Sequence, residues 1–306
     1  MLFASGGAIP ADAVRALRES CELVAIVRPR RSTTVRSPAD LARRVWRGAR
    51  TLVRGSPRAG LESHDPLESV IAESAIPIWP MRAPDDPDPE ARIRAAAVDV
   101  ACIATFPWRL APSLLGAARA GTLNVHTSLL PRHRGPTPLF WTYHADDRET
   151  GVTVHRADPR MDAGPIVAQT RVALPRGHPV RTLHAQLAAA GAPLLRDAVL
   201  AMSNGTASLR AQDEQLATQA PRVRAEQRML GGDWGAERSW HFLAGLAGMY
   251  REPVRCEGRV VRYGRVDGYL CGPPEAAPGT VTRSGGSPGW TLWCHDGAVS
   301  LLPHDE

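Results

Sequence analysis

An amide and an imidazole lie two residues apart at the end of an apolar run, at Asn124 and His126. Residues two apart on a β-strand share a face, so both side chains are expected to point the same way. A second apolar run, 152–154, leads into a loop that carries Asp158 and Asp162. An Asn, a His and a carboxylate at one place suit acyl transfer. The amide can hold a carbonyl oxygen, the imidazole can donate to a developing oxyanion, and the carboxylate can orient the imidazole and take up a proton.

Three separated blocks resemble the sequence motifs of the folate-dependent formyltransferases, which include methionyl-tRNA, glycinamide ribonucleotide and sugar-amine formyltransferases. The blocks are Asn124–Gly135 (NVHTSLLPRHRG), Glu149–Thr153 (ETGVT) and Met161–Ile166 (MDAGPI). The resemblance covers roughly residues 1–205 well and the rest weakly. It implies that Asn124, His126 and Asp162 are catalytic, and Ser128 in the first block is assigned a supporting role.

The same resemblance implies N10-formyltetrahydrofolate as the formyl donor, with direct attack by the acceptor amine and with no metal and no covalent intermediate. The donor pocket is expected beyond the strand Asp99–Thr105, because ligands of open parallel sheets bind beyond the carboxyl ends of strands. The candidate folate-binding residues are Phe106, Pro107, Trp108, Leu110 and Asp158. Two structural alternatives stay open: residues 106–110 can form a packed strand-to-helix corner, and Asp158 can cap a turn.

The identity of the acceptor depends on the segment that ends the first block, which reads Arg134-Gly-Pro-Thr-Pro-Leu-Phe-Trp141. Methionyl-tRNA formyltransferases usually have Ala-Ala-Pro-Ile-Gln after the Arg-Gly pair. The aromatic pair here is nearer to formyltransferases of small-molecule amines, such as amino sugars or siderophore and antibiotic precursors. The prediction is therefore a small-molecule amine, with Arg134, Pro138 and Trp141 as acceptor-binding candidates. Methionyl-tRNA is the alternative acceptor, and water is a third, as in formyltetrahydrofolate deformylases.

The chain has a net charge of +6 and no lysine, so all 37 basic residues are arginines. The absence of lysine excludes a Schiff-base lysine and a Walker-type phosphate loop. A basic surface favours anionic partners such as folate glutamates, phosphates or tRNA. A predicted helix, Leu41–Val53, carries Arg43, Arg47 and Arg50. This helix can be a tRNA-binding face or, as we favour, an amphipathic helix with a solvated arginine face.

An opening βαβ pattern predicts an α/β fold with a Rossmann-like parallel sheet, and no G-x-G-x-x-G motif for a dinucleotide is present. Strands are expected at Leu2–Ser5, Leu23–Val27, Ala75–Trp79, Asp99–Thr105 and Pro165–Val172, and helices at Ala11–Ser20, Glu90–Ala97, Pro138–Ala145 and Val180–Met202. A catalytic domain at 1–205 is followed by a polar segment, 206–227, that is interpreted as a linker. Short strands with Gly and Pro turns in 228–306 favour a small β-barrel, which the resemblance implies is an OB-like domain.

Five scattered cysteines without a C-x-x-C pair argue against a zinc site or a disulfide framework. No apolar run approaches the roughly 18 residues of a membrane helix, and the first residues lack the pattern of a signal peptide. The expected location is therefore the cytoplasm, with no membrane partner. The oligomeric state is left open by the sequence.

Overall fold

The computed structural model describes residues 1–30 and 65–303, except 225–226, 228–229, 231–232, 248, 250–253, 257–258, 262, 264 and 285–288. The predicted arginine-rich helix Leu41–Val53 lies outside the described residues, so both of its interpretations stay predictions.

A seven-stranded sheet forms the larger part of the described structure, with strand order β3-β2-β1-β4-β5-β6-β7. The strands are β1 (Leu2–Ala4), β2 (Ile26–Pro29), β3 (Ile78–Met81), β4 (Ala101–Ala104), β5 (Thr122–His126), β6 (Glu149–Arg156) and β7 (Ile166–Ala173). Strands β1 to β5 pair in parallel, whereas β6 is antiparallel to β5 and β7 is antiparallel to β6. The predicted Rossmann-like α/β class is confirmed, with a mixed sheet in place of a purely parallel one.

Apolar side chains cover both faces of this sheet. Leu2 and Ala4 of β1 belong to one buried cluster and Phe3 to another, as the alternation of side chains along a strand requires. The helices are α1 (Ala8–Arg18), α2 (Pro66–Ala72), α3 (Pro87–Ala95), α4 (Pro112–Leu115), α5 (Pro138–His144), α6 (Val180–Ser203) and α7 (Ala236–Leu246). Helices α1 and α6 contribute to the cluster that contains Leu2, while Ile93 of α3 lies in the cluster that contains Phe3. Both faces of the parallel strands are thus buried, as expected for an α/β sheet.

Two strands are displaced from the predicted positions. Strand β2 begins at Ile26 rather than Leu23, and β3 begins at Ile78 rather than Ala75. The pairing of Leu2 with Ile26, and of Ile26 with Ile78, sets these starts. Strand β3 continues through Pro80 because it lies at the edge of the sheet, where the missing N–H of proline breaks no ladder hydrogen bond.

The C-terminal part combines α7 with short antiparallel strands. The strands are β8 (Val254–Cys256), β9 (Arg259–Val261), β10 (Arg265–Cys271), β11 (Val281–Arg283), β12 (Trp290–Cys294) and β13 (Gly297–Leu302). Strands β8 and β9 form a pair, and the others form a four-stranded antiparallel sheet in the order β10-β13-β12-β11. The small C-terminal β unit is therefore confirmed, and in the described residues it is this four-stranded sheet. Helix α7 joins the two parts, since the rings of Phe242 and Phe140 pack edge-on with centroids 5.6 Å apart.

Residues 206–224 of the predicted linker 206–227 are bound to the larger part of the chain. Arg210 forms an antiparallel bridge with Ile166, and Gln219 forms a parallel bridge with Arg134. A short 3-10 helix, Glu214–Leu216, lies between the two bridges. This segment therefore runs beside both the first and the third sequence blocks.

Candidate active site

Asn124 and His126 lie on β5 opposite residues of the antiparallel strand β6. The register pairs Asn124 with His155 and His126 with Thr153. The loop after β6 places Oδ1 of Asp162 3.2 Å from Nδ2 of Asn124, and Oδ2 of Asp162 3.7 Å from Nδ1 of His126. The structure thus brings together the amide, the imidazole and the carboxylate that the sequence analysis singled out as catalytic.

Both N–H groups of the Asn124 amide are used inside the site. Nδ2 lies 3.0 Å from Nε2 of His155 and 3.2 Å from Oδ1 of Asp162. Nδ1 of His155 lies 3.2 Å from the carbonyl oxygen of Arg156, which only accepts. In the neutral ring Nδ1 therefore carries the proton, and Nε2 accepts from Asn124. Nδ2 can consequently hold a substrate oxygen only by exchanging one of these two internal hydrogen bonds.

The tautomer of His126 is set by the backbone of the loop after β5. The ring is buried, with 6% of the residue exposed, and Nε2 lies 2.8 Å from the carbonyl oxygen of His133. Because a carbonyl oxygen only accepts, the proton of the neutral ring lies on Nε2 and Nδ1 is unprotonated. Nδ1 faces Oδ2 of Asp162 at 3.7 Å, beyond hydrogen-bond range. In this state His126 is a base at Nδ1, and it becomes an oxyanion donor there only after it has gained a proton.

Asp162 is held by donors from two other segments. Oδ2 accepts the N–H of Gly135 at 2.8 Å, and Oδ1 accepts from Asn124. Burial, the largest single influence, raises the pKa of the Asp162 carboxyl. The charged forms of the His126 and His155 rings attract the carboxylate, the charged His155 ring can also donate to it, and the Gly135 N–H donates as well; together these influences outweigh burial and lower this pKa to about 2. Asp162 is therefore ionised at neutral pH.

His126 is neutral in the same site. Burial lowers the pKa of His126 below its ordinary value, and repulsion from His155 and His133 acts in the same direction. Attraction to Asp162 and the hydrogen bond to the His133 carbonyl oppose this decrease without cancelling it. The hydrogen bonds that Asp162 accepts from Gly135 and Asn124 do not depend on the charge of the His126 ring. We therefore assign the negative charge to Asp162 and a neutral ring to His126. A neutral imidazole beside a carboxylate can take a proton from an attacking amine.

We expect His126 to be mainly neutral, with its proton on Nε2, at pH 6.5, the ordinary histidine value from which its pKa is lowered. The Asp162→Asn variant should lower the pKa of His126 further, because Asp162 is the largest influence that raises it. Ring nitrogen chemical shifts of histidine-labelled protein, followed against pH, measure both effects, and a His126→Gln variant assigns the signal. A pKa of His126 above 6.5 in the wild-type protein would contradict the prediction.

Buried hydroxyl groups hold the loop after β5. Ser128 is fully buried, and its Oγ donates to the carbonyl oxygen of Arg132 at 2.6 Å. Oγ1 of Thr153 donates to the carbonyl oxygen of Ser128 at 2.6 Å. Nε2 of Gln169 donates to the carbonyl oxygen of Leu130 at 2.9 Å. The side chain of Ser128 therefore bonds within the loop and its carbonyl oxygen bonds to β6, while its supporting role in catalysis stays a prediction.

The predicted folate segment follows β4 and is partly packed into the core. The ring of Phe106 packs edge-on against Phe3 and Trp108, with centroids 5.5 and 5.7 Å apart. Leu110 is buried in the same cluster as Phe3, whereas Pro107 is exposed. This is the packed corner that the sequence analysis gave as an alternative. A role in folate binding for the exposed edges of these side chains stays a prediction.

The loop 157–164 lies next to that segment. The guanidinium of Arg109 donates to the carbonyl oxygen of Pro159, so the two segments are in contact. Oδ1 of Asp158 accepts the backbone N–H of Arg160 at 2.7 Å, which is the turn-capping geometry expected as the alternative for Asp158. A folate pocket that both segments line requires them to lie side by side, as this contact shows they do.

Two of the three acceptor-binding candidates contact the segment 206–224. Arg134 is 5% exposed, and its guanidinium donates to Gln212 and Glu214. Nε1 of Trp141 donates to the carbonyl oxygen of Pro221 at 2.8 Å. The third candidate, Pro138, is buried in the first turn of α5. An acceptor role for these residues stays a prediction, and the structure adds that Arg134 and Trp141 anchor the 206–224 segment.

Two residues of the site were not assigned a role by the sequence analysis. His155 is 1% exposed and contacts Asn124, and Gln212 donates to the backbone of the Asp162 loop from 50 residues away. His155 lies two residues after Thr153 on one strand, so the two side chains point to the same face of the sheet. This spacing is a signal that could have placed His155 on the face of the site. Gln212 has no such signal, because a long-range contact from a side chain to the backbone leaves no local sequence pattern.

Among the residues that the structure describes, no group of three or more His, Cys, Asp or Glu side chains is arranged to hold a metal ion. No helix in this part of the chain is both long enough and apolar enough to cross a bilayer. Cys21, Cys102, Cys271 and Cys294 are free thiols.

Comparisons with known proteins show the family. The model of the formyl transferase family matches residues 54–199. The methionyl-tRNA formyltransferase of Methylobacterium sp. (strain 4-46) is 30% identical over 246 residues, which cover 78% of this chain and 76% of that protein. The methionyl-tRNA formyltransferase of Methylobacterium nodulans is 33% identical over 220 residues, which cover 68% and 66% of the two chains. The chain therefore belongs to the formyl transferase family and is a formyltransferase.

Two solved structures share the fold over nearly the whole chain. WlaRD, a sugar 3N-formyl transferase solved with dTDP and 5-N-formyl-THF, matches with a TM-score of 0.66 at 11% identity and covers 100% of this chain and 97% of its own. The N-formyltransferase of Helicobacter canadensis, solved with folinic acid and dTDP-3-aminofucose, matches with a TM-score of 0.63 at 12% identity and covers 99% and 98%. These matches show that the two-part architecture is that of known formyltransferases.

Proposed function

We propose that the protein transfers the formyl group of N10-formyltetrahydrofolate to the primary amine of a small molecule. The observation that carries the proposal is the cluster of Asn124, His126 and Asp162, in which a neutral imidazole with a free Nδ1 faces an ionised carboxylate. The folate donor is supported by structures that share the fold and that were solved with 5-N-formyl-THF or folinic acid. The acceptor class is inferred from the sequence between Arg134 and Trp141.

The acceptor amine attacks in its neutral form. Its nitrogen lone pair forms a bond to the formyl carbon, and the π electrons of the C=O bond move to the formyl oxygen. The amine proton passes to Nδ1 of His126, and Asp162 stabilises the imidazolium that results. The new Nδ1–H and Nδ2 of Asn124 then donate to the oxyanion, after Asn124 has exchanged one of its internal hydrogen bonds.

The tetrahedral intermediate collapses when the oxyanion re-forms the C=O bond and the bond to N10 breaks. N10 of the leaving folate takes the proton that His126 carries, so N10 leaves as a neutral amine and His126 returns to its resting tautomer. One proton moves from the amine to N10 by way of His126. No covalent bond between protein and substrate is needed in this sequence.

The folate is proposed to bind where the segment after β4 meets the loop 157–164. Phe106, Trp108 and Leu110 would supply apolar surface for the pterin, with Pro107 and Asp158 at the border of the pocket. The contact between Arg109 and Pro159 supports this position, because it joins the two segments beside Asp162. We also propose the predicted domain limits, with the catalytic residues in a domain at 1–205 and a separate unit in 228–306.

Methionyl-tRNA is the second candidate acceptor. It is favoured by the curated relatives at about 30% identity, which are methionyl-tRNA formyltransferases. We favour a small amine because the sequence between Arg134 and Trp141 lacks the Ala-Ala-Pro-Ile-Gln run that those enzymes usually have. The sugar formyltransferases with the same full-length fold support that choice.

Purified protein is expected to release tetrahydrofolate from N10-formyltetrahydrofolate and to formylate a small amine. Nucleotide-linked amino sugars, other small amines and methionyl-tRNA are incubated separately, and folate products and acceptor masses are followed. A reaction without acceptor measures hydrolysis. Replacing Arg43, Arg47 and Arg50 with Gln should leave transfer to a small amine almost unchanged.

Two outcomes would contradict the small-amine proposal. The first is formylation of methionyl-tRNA alone, with a rate that falls with salt and collapses in the triple arginine variant. In that case, each arginine–phosphate contact that is lost should reduce the slope of log K against log salt concentration by roughly 0.7 to 0.9. The second is release of tetrahydrofolate and formate at the same rate with and without every amine, which would identify a hydrolase.

A further inference from the structure

We propose that Gln212 is a positioning residue that clamps the loop carrying Asp162, and that Arg134 orients the clamp. The effect of this clamp on catalysis rests on the proposed formyl transfer, whereas its effect on the position of the loop does not. Gln212 lies in the segment 206–224, which is part of the predicted linker 206–227. The inference assigns part of that segment to the active site.

The side-chain amide of Gln212 uses all of its hydrogen-bonding groups. Nε2 donates to the carbonyl oxygens of Asp162 and Gly164 at 2.8 and 2.7 Å. Oε1 accepts from Nε and Nη2 of Arg134 at 3.0 and 2.9 Å. Carbonyl oxygens only accept and a guanidinium only donates, so the amide has one possible orientation. Four hydrogen bonds therefore define the position of this side chain.

The loop needs such a restraint because Asp162 has an unfavourable backbone conformation. Its φ is 51°, in the left-handed region that residues other than glycine rarely adopt. The neighbouring Arg160 and Met161 are exposed, so they add little packing. Gln212 binds the carbonyl oxygen of Asp162 and that of Gly164, two residues further on. These bonds hold the loop on both sides of Ala163 and keep the carboxylate directed at His126.

Arg134 connects the clamp to the first sequence block. Its backbone N–H donates to the carbonyl oxygen of Thr218 at 2.8 Å, and its carbonyl oxygen accepts from Ala220 at 2.6 Å. Its buried guanidinium binds Gln212 and Glu214. A buried guanidinium is costly unless it is paired, so these contacts are strongly favoured.

Gln212 therefore links the two loops that have to meet at the reacting atoms. The first block reaches Asp162 directly through the N–H of Gly135, at 2.8 Å from Oδ2. It reaches Asp162 a second time through the side chains of Arg134 and Gln212. The first contact restrains the carboxylate of Asp162, and the second restrains its backbone carbonyl group. Both the side chain and the main chain of Asp162 are therefore held.

The Gln212→Glu and Gln212→Ala variants test the clamp. Gln212→Glu keeps the acceptors for Arg134 but loses both N–H donors and puts oxygen against the carbonyl oxygens of Asp162 and Gly164. Backbone amides of 158–164 are expected to exchange hydrogen faster in both variants of the full chain. The kcat for formyl transfer should fall by about ten- to a hundredfold, because misplacing a catalytic group by about 1 Å has effects of that size. The KM for N10-formyltetrahydrofolate should change little.

The matched control is Gln215→Ala, since Gln215 is an exposed glutamine three residues further along the same segment, in the 3-10 helix Glu214–Leu216. It should leave hydrogen exchange in 158–164 and kcat unchanged. Unaltered exchange in both Gln212 variants would refute the clamp, and faster exchange with wild-type kcat would refute its catalytic role. If the wild-type protein transfers no formyl group, the proposed function has failed. The exchange measurement on ligand-free protein still decides whether Gln212 holds the loop.

Discussion

The Asp162→Asn variant is expected to lose at least about a hundredfold in kcat while it still binds the folate donor. The substitution removes the charge that stabilises a protonated His126, and the loss of one such electrostatic contribution costs on the order of 3 kcal/mol. It also places an NH2 group where an oxygen now accepts. The Gly135 N–H occupies Oδ2 and Nδ2 of Asn124 occupies Oδ1, so either orientation of the new amide sets one donor against another.

Steady-state rates and a separate measurement of folate binding check this expectation. His126→Ala should have a loss of similar size, because it removes the group that carries the proton. The control is Asp197→Asn, which changes an exposed carboxylate on α6 that pairs with Arg196. Turnover close to wild type in the Asp162 or the His126 variant would show that the catalytic assignment is wrong.

Acid denaturation separates a catalytic effect of Asp162 from a structural one. The pKa of Asp162 is lowered from 3.8 to about 2, so its ionised form contributes stability that is fully present above pH 3.8. That contribution is lost as the pH falls toward 2. The Asp162→Asn variant cannot titrate at this position, so its stability relative to wild type should improve over the same pH range.

Gly164→Ala is expected to lower both stability and kcat. A Cβ at this position would lie 1.8 Å from the carbonyl oxygen of Arg156 and 3.0 Å from its carbonyl carbon, so the backbone has to move. Overpacking of this kind typically costs about 1–3 kcal/mol. The movement also displaces the Gly164 carbonyl oxygen, which Gln212 binds, and with it the loop that carries Asp162.

Thermal denaturation and formyl-transfer rates of the Gly164→Ala variant measure the two effects. The matched control is Gly268→Ala on β10, where the added Cβ meets no atom within 4 Å. That control should keep the melting temperature and the rate of the wild-type protein. An unchanged melting temperature in the Gly164 variant would show that the loop accommodates a side chain without moving.

Much of the fold follows from local pattern. The βαβ opening indicated an α/β sheet, and α6 and α5 lie within one residue of their predicted limits. The directions of β6 and β7 were not predictable in the same way. Alternating or continuous apolar runs indicate a strand but carry no information on whether its neighbour is parallel or antiparallel. Segment 206–227 was interpreted as a linker because it is polar, and polar residues suit a solvated chain as well as one that binds backbone groups.

Which chemical groups are available at the site can be read from the amino-acid sequence alone. Asn124 and His126 share a face because side chains alternate along a strand, and Asp162 lies in a loop that follows another strand. What each group can do depends on contacts between segments that are far apart in the chain. Antiparallel pairing of β6 placed His155 against Asn124, and the His133 carbonyl oxygen set the tautomer of His126. Such contacts join atoms on separate segments, so they depend on strand register and loop position, which no local sequence pattern contains.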